Sequence, residues 1–217
     1  NPLKQRGYSF ESIFSCLISL PFLGMQTVHS FTGSIIAAHI EARKDVFYRL
    51  KNNTAICWRM ILWLFSVKFI SIAERHGGQQ FGSVKCLIFD DSSLTKTGKK
   101  IEMVSRIWDH TFHRYLLGFK LLAMVYWDGL STIPLDFSLH REKGRNTNKP
   151  YGLKKKELKR QYKKKRKSGT HSRERTDEAD ISKIKSAKKM FWRAISQGIK
   201  VDYLLMDSWF TCEAFIE

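Results

Sequence analysis

The chain has 217 residues, 43% of them hydrophobic, with a formal net charge of +18 and a pI near 9.9. That length and apolar content admit a real core in one large domain, or in a small one beside a medium one. The charge points to a polyanionic partner, nucleic acid in the simplest case or an acidic membrane surface. Cys16, Cys57, Cys86 and Cys212 are scattered without a C-x-x-C spacing, and His110 and His113 have no second pair beside them. This argues against a zinc site and for reduced thiols in a cytoplasmic protein.

Asn1 opens the chain, which reads as a piece of a longer protein. Ile13–Met25 is apolar behind Lys4 and Arg6, but no small-residue cleavage site follows it. A buried helix ending near Pro21 and Gly24 is expected there instead of an export signal. Over 35–50, Ile36, Ile40, Val46, Phe47 and Leu50 share a face and predict a helix. Ile56–Ile72 is strongly apolar, but Arg59 and Lys68 interrupt it, so a core helix rather than a membrane span is expected, stopped at Gly77-Gly78. Residues 1–82 thus form a small helical region, either a DNA-contacting one or an ordinary packed subdomain.

The pattern then turns strand-like. Val84–Asp91 is a short apolar run closing in Asp90 and Asp91, followed by Ser92, Ser93 and the turn-like Lys96–Lys99. A core strand that ends in carboxylates either emerges into solvent or presents an acid to a metal, since a buried carboxylate needs a partner. Trp108–His113 and Tyr115–Trp127 come next, and Asp128-Gly129 predicts a hairpin turn into Ser131–His140, whose alternation gives it one wet face.

Lys154–Arg175 holds twelve Lys and Arg against two Glu, a local net of +10. Self-repulsion predicts a mobile loop or frayed helix. It reads either as a solvated linker or localisation tract, or as a contact to the phosphate backbone. Its share of the total charge favours DNA contact through Lys154, Lys155, Lys156, Lys159, Arg160, Lys163, Lys164, Lys165, Arg166 and Lys167. Asp180 then offers an N-cap to a helix over 181–198, and Val201–Asp207 is a second apolar strand closing in Asp-Ser. Two such strands side by side would bring two carboxylates together, and close carboxylates repel unless a cation such as Mg²⁺ or Mn²⁺ sits between them.

Strand with Asp, hairpin, basic insertion over 153–178, helix, strand with Asp: this order predicts an α/β protein with a ribonuclease-H-like mixed sheet over 83–217. In Ile88-Phe89-Asp90-Asp91-Ser92 with Lys96-Thr97-Gly98-Lys99, in Ile133–Leu139, and in Leu205-Met206-Asp207-Ser208-Trp209-Phe210, the chain resembles DDE transposases of the IS4 type, encoded by bacterial insertion sequences. The resemblance covers about Val84 to the end. It implies that Asp90 (with Asp91 the alternative) and Asp207 are two of three carboxylates that bind Mg²⁺ or Mn²⁺ for DNA cleavage and strand transfer. It also implies double-stranded DNA as partner, a homodimer on synapsis, and a nucleoid-associated cytoplasmic location without a membrane.

The family's third acid is a Glu within Tyr-x-x-Arg-x-x-x-Glu-x-x-x-x-x-x-Lys, a pattern this sequence lacks, and Glu217 stands too close to Asp207 to serve. The chain is therefore expected to be either a truncated fragment or the product of a decayed gene, inactive as given. Ser92 and Ser208 are expected in turns rather than as nucleophiles, and Trp209 in packing. A different nuclease on the same fold would share the acids without the basic insertion or the helical front, and a non-catalytic nucleic-acid-binding protein would depend on the basic tract alone.

Overall fold

The computed structural model describes residues 7–40, 42–76 and 84–216; the expected stop at Gly77-Gly78, the flanking Gly82 and Glu217 lie outside them. The chain divides into two compact units, 1–55 and 56–217. In the first, α1 (Phe10–Ser19) is capped by the Ser9 hydroxyl, and α2 (Val28–Thr32) by a reciprocal Thr27–Ser30 box. A 3₁₀ turn (Ile35–His39) and α3 (Lys44–Lys51) follow. Ile13, Leu20, Val28, Phe31, Ala42 and Phe47 make its core. The single helix expected over 35–50 is split, because Ala42 and Phe47 both bury, and residues five apart lie on different faces of one continuous helix.

The second unit begins with α4 (Trp58–His76) and continues through β1 (Cys86–Thr95), β2 (Ser105–Asp109), β3 (Arg114–Trp127) and β4 (Thr132–His140). After a 3₁₀ turn at Pro150–Gly152 come α5 (Lys155–Lys159), α6 (His171–Glu178), α7 (Lys183–Ser196) and β5 (Tyr203–Met206). A 3₁₀ turn at Ser208–Phe210 and α8 (Glu213–Ile216) close the chain. The unit boundary falls at 55/56 rather than at the expected 82/83. The reason is that α4 packs against β4: Ser66 donates to the Pro134 carbonyl at 2.5 Å, and Ile70 joins the sheet's core cluster. Leu64 and Phe69 of α4 are more than half exposed, so it is not the fully buried helix its composition suggests.

Five strands make one mixed sheet. β3 is the long central strand, with β1 antiparallel along one edge, and β2 and β4 sharing the other. β5 lies outside β1 and runs parallel to it. The Asp128-Gly129 turn forms as expected, with Asp128 Oδ1 accepting from the Leu130 and Ser131 amides and Gly129 at φ +94°. β2 adds a second hairpin ahead of it, turned by Asp109, whose Oδ1 accepts from the Thr111 and Phe112 amides.

Register gives the sheet two different faces. One carries Leu87, Phe89 and Asp91 of β1, Tyr126, Met124 and Leu122 of β3, and Asp136 of β4. It is covered by α4 and α7, both of which reach Asp136, and it holds the main core with Met190 and Ala194. Cys86, Ile88, Asp90 and Ser92 lie on the other face, with Phe119 and Leu117. There a smaller core of Val104, Phe119 and Leu153 is overlaid by the basic segment through Leu158.

Candidate functional site: an acidic pair beside a docked basic segment

β1 does not end at its acids. It runs four residues past Asp91 because its antiparallel partner β3 is long: Asp90 stands opposite Ala123, and the ladder continues to Thr95 opposite Gly118. What ends is the parallel neighbour. The β1–β5 ladder closes at Phe89 opposite Met206, so Asp90 and Asp207 are each the next residue beyond the last pair. Neighbouring strands lie about 5 Å apart. In a parallel pair, residues at equal register share a face, which here is the one carrying Cys86, Ile88, Tyr203 and Leu205. Extended one step past the last pair, the same register puts Asp90 and Asp207 at equivalent positions where the sheet opens.

Asp90 and Asp91 part company at this point. Asp91 faces the helices, where Lys183 Nζ donates to its Oδ2 at 2.6 Å and Lys120 Nζ lies 3.9 Å away. Asp90 is exposed, and its Oδ1 accepts the Asp91 amide at 2.7 Å. Asp207, also exposed, leads into the 3₁₀ turn with extended backbone and accepts the Ser208 hydroxyl at 3.1 Å. Neither makes an ion pair among the described residues, and no group of three or more His, Cys, Asp or Glu is placed there to share a metal. Two open carboxylates are nevertheless a hard all-oxygen donor set. That suits Mg²⁺ or Mn²⁺, which complete their shells with waters and substrate phosphates.

The wall behind the pair is ordered by cations. Lys183, at the start of α7, also lies 4.2 Å from the Trp209 ring centroid, tying Asp91 to the turn that follows Asp207. Trp209 meets the buried Phe210 edge to face at 5.0 Å and is itself 54% exposed, so packing accounts for one side of it. The N-cap of α7 is Ser182, which accepts from the Lys185 amide; Asp180 instead pairs with Arg141. Nearby, His140 Nδ1 reaches the Ile181 carbonyl at 2.9 Å and Nε2 meets the Ser138 hydroxyl at 2.6 Å. Burial pushes the His140 pKa down, and because the Ile181 carbonyl can only accept, Nδ1 carries the hydrogen in that contact.

The basic tract is not the loose loop its charge predicts. Leu153 is buried, Gln161 donates to the Val104 carbonyl at 2.8 Å, and the Tyr162 amide to the Lys100 carbonyl at 2.8 Å. Arg166 grips Glu102 through both guanidinium branches, and its hydrogen bond holds the Glu102 carboxyl below its usual pKa. Lys99 pairs with Glu157 at 2.7 Å. These anchors outweigh self-repulsion by matching cations on both sides with two acids. Arg166, expected on DNA, is thereby committed to the fold. Lys154, Lys155, Lys156, Lys159, Arg160, Lys163, Lys164, Lys165 and Lys167 are exposed.

Among the described residues no helix is long and apolar enough to cross a membrane, and the four cysteines are free thiols. The chain matches no protein-family model, no curated protein and no solved structure.

Proposed function

We propose that this chain carries two of the metal-binding carboxylates of a DNA phosphodiester-transferring enzyme, of the kind represented by IS4-type DDE transposases. The observation that carries the proposal is the β1–β5 register. Extended by one residue, it supports reading Asp90 and Asp207 as a pair on the open face, while Asp91 bonds Lys183. A second support is strand order: three antiparallel strands β4-β3-β1, then β5 parallel to β1, is the order of a ribonuclease-H-like sheet.

Asp90 and Asp207 would hold Mg²⁺ or Mn²⁺, which supplies an activated water or 3′-hydroxyl and stabilises the leaving oxygen of a phosphodiester. The Ser208 hydroxyl, donating to Asp207, fixes the direction of that carboxylate. Lys183 neutralises Asp91 so that its charge does not add to the pair in front. The exposed lysines of the docked segment supply the charge that holds the phosphate backbone of duplex DNA.

Iron-directed cleavage tests this. Fe²⁺ substituted for Mg²⁺, with ascorbate and peroxide, is expected to cut the polypeptide next to Asp90 and Asp207. Asp90→Asn and Asp207→Asn should each abolish the cuts while leaving duplex binding intact. Cuts that persist in both variants, or none in the parent chain, would remove the metal site and leave a basic DNA-binding protein.

A further inference from the structure

A cleft of about 750 Å³ opens at the far edge of the sheet, and neither the acids nor the basic tract accounts for it. Its lining includes Arg106 and Trp108 of β2, Tyr115 of β3, and Lys143, Arg145 and Lys149 of the loop after β4. Arg106, Trp108 and Tyr115 belong by register to the same sheet face as Asp90. The size is that of a small-molecule site. None of the four cations makes an ion pair among the described residues, whereas Arg59, Arg141, Arg166 and Arg193 are all paired.

The one carboxylate in the lining, Glu142, is turned to structural use: it accepts the Trp108 amide at 2.7 Å, while its own amide donates to the Ser105 hydroxyl. The aromatic wall is just as specific. Trp108 and Tyr115 meet at 5.0 Å and 67°, and Tyr115 remains 63% exposed, so ring surface is left for a planar ligand.

The wall is built before any ligand arrives. Tyr151 and Gly152 both hold positive φ, +59° and +69°, and a Cβ on Gly152 would come within 2.4 Å of Arg106 Cβ. Tyr151 is held in that conformation with the Arg141 guanidinium 3.9 Å from its ring centroid, and Arg141 is anchored in turn on Asp180. Backbone held in a sparsely populated conformation persists where its surroundings enforce it, often at ligand sites.

From the cleft we infer a subsite for an unpaired nucleotide of a DNA strand. The base would stack on Tyr115 and Trp108, and its flanking phosphates would lie against Arg106, Lys143, Arg145 and Lys149. A duplex offers no free base face to such a wall, whereas a single strand offers one at every nucleotide. Eight residues of β3 separate Ala123, opposite Asp90, from Tyr115, opposite Trp108. At strand rise that is roughly 25 Å, with the docked lysine segment overlying the sheet between them. One face of the sheet therefore offers acids, then lysines, then aromatics to a strand laid across it. The inference rests on the nucleic-acid half of the function proposed above and not on the acids.

The test is fluorescence anisotropy of the full chain with a labelled oligothymidine strand and a duplex of equal length, at a salt concentration where duplex binding by the parent chain is still measurable. Tyr115→Ala should weaken single-strand binding about tenfold, and Tyr115→Phe should restore it, because stacking needs the ring and not the hydroxyl. Arg145→Ala should weaken it too, while duplex affinity changes for neither variant. Thermal melting of each variant confirms that the exposed substitutions leave the fold intact. Equal losses on both probes, or no loss on either, would overturn the subsite. Binding of duplex without single strand would overturn it and leave the function above standing; binding of neither would remove both.

Discussion

The two faces of the sheet treat acidic residues in opposite ways. On the helix-covered face two acids are answered by cations from the chain itself: Asp91 by Lys183, and Asp136 by Arg59 and Arg193, each at 2.6 Å. Beside Asp136, Glu178 meets Arg59 at 2.8 Å. On the other face Asp90 and Asp207 each stand one residue past the last β1–β5 pair, with no such answer among the described residues. Burial bears on the first case, because a desolvated carboxylate is costly to keep without partners. Solvent permits the second, and leaves a pair of like charges available to a cation from outside. Two acids adjacent in sequence, Asp90 and Asp91, fall on opposite sides of this division because strand side chains alternate.

The largest expected effect lies on the paired face. Asp136→Asn should cost roughly 2–4 kcal/mol in urea unfolding, because it leaves Arg59 and Arg193 without their shared buried partner. A cost near zero would mean that the network contributes little to the fold.

Arg166→Met comes next, at about 1 kcal/mol, since its partner Glu102 is only partly buried. Lys163→Ala should leave stability unchanged and instead lower the salt slope of duplex binding by about 0.9. Salt titrations and unfolding curves on the two variants separate an anchoring cation from a DNA-facing one. If both behave alike, the distinction between them is lost.

A smaller effect comes from His140. Its folded pKa lies below the ordinary 6.5, so the unfolded chain takes up the proton first. Stability from this group is complete above pH 6.5 and is lost as pH falls from there through the folded value. His140→Gln should remove that segment of the pH dependence of the melting temperature, and an unaltered profile would show the ring to be protonated in place.

Much of this contrast is written locally, and some of it is not. The hairpin at Asp128-Gly129, the apolar stripe of α7 and the apolar runs of the two strands leading to Asp90 and Asp207 are readable because turn chemistry and periodicity are local. The run of β1 through Asp91 to Thr95 is set by the length of β3, a partner more than twenty residues away. Docking of the basic tract depends on Glu102 and Arg166, 64 positions apart, and on the single Leu153. A net charge of +10 hides both. β2 escapes a hydrophobic pattern because two of its three inward residues, Ser105 and Asp109, are polar. The cleft escapes for a related reason: Arg106 and Trp108 meet Lys143 and Arg145 only once β2, β3 and the loop after β4 are assembled.

The most direct test of the acidic pair is thermal unfolding with and without Mg²⁺, in the parent chain and in Asp90→Asn/Asp207→Asn. Without metal the double variant should be equally stable or slightly more so, by up to about 0.5 kcal/mol, because exposed like charges are removed. Added Mg²⁺ should raise the melting temperature of the parent chain, since a ligand of the folded state stabilises it, and leave the variant unmoved. An equal Mg²⁺ response in both proteins would contradict the assignment of Asp90 and Asp207 as a metal-binding pair.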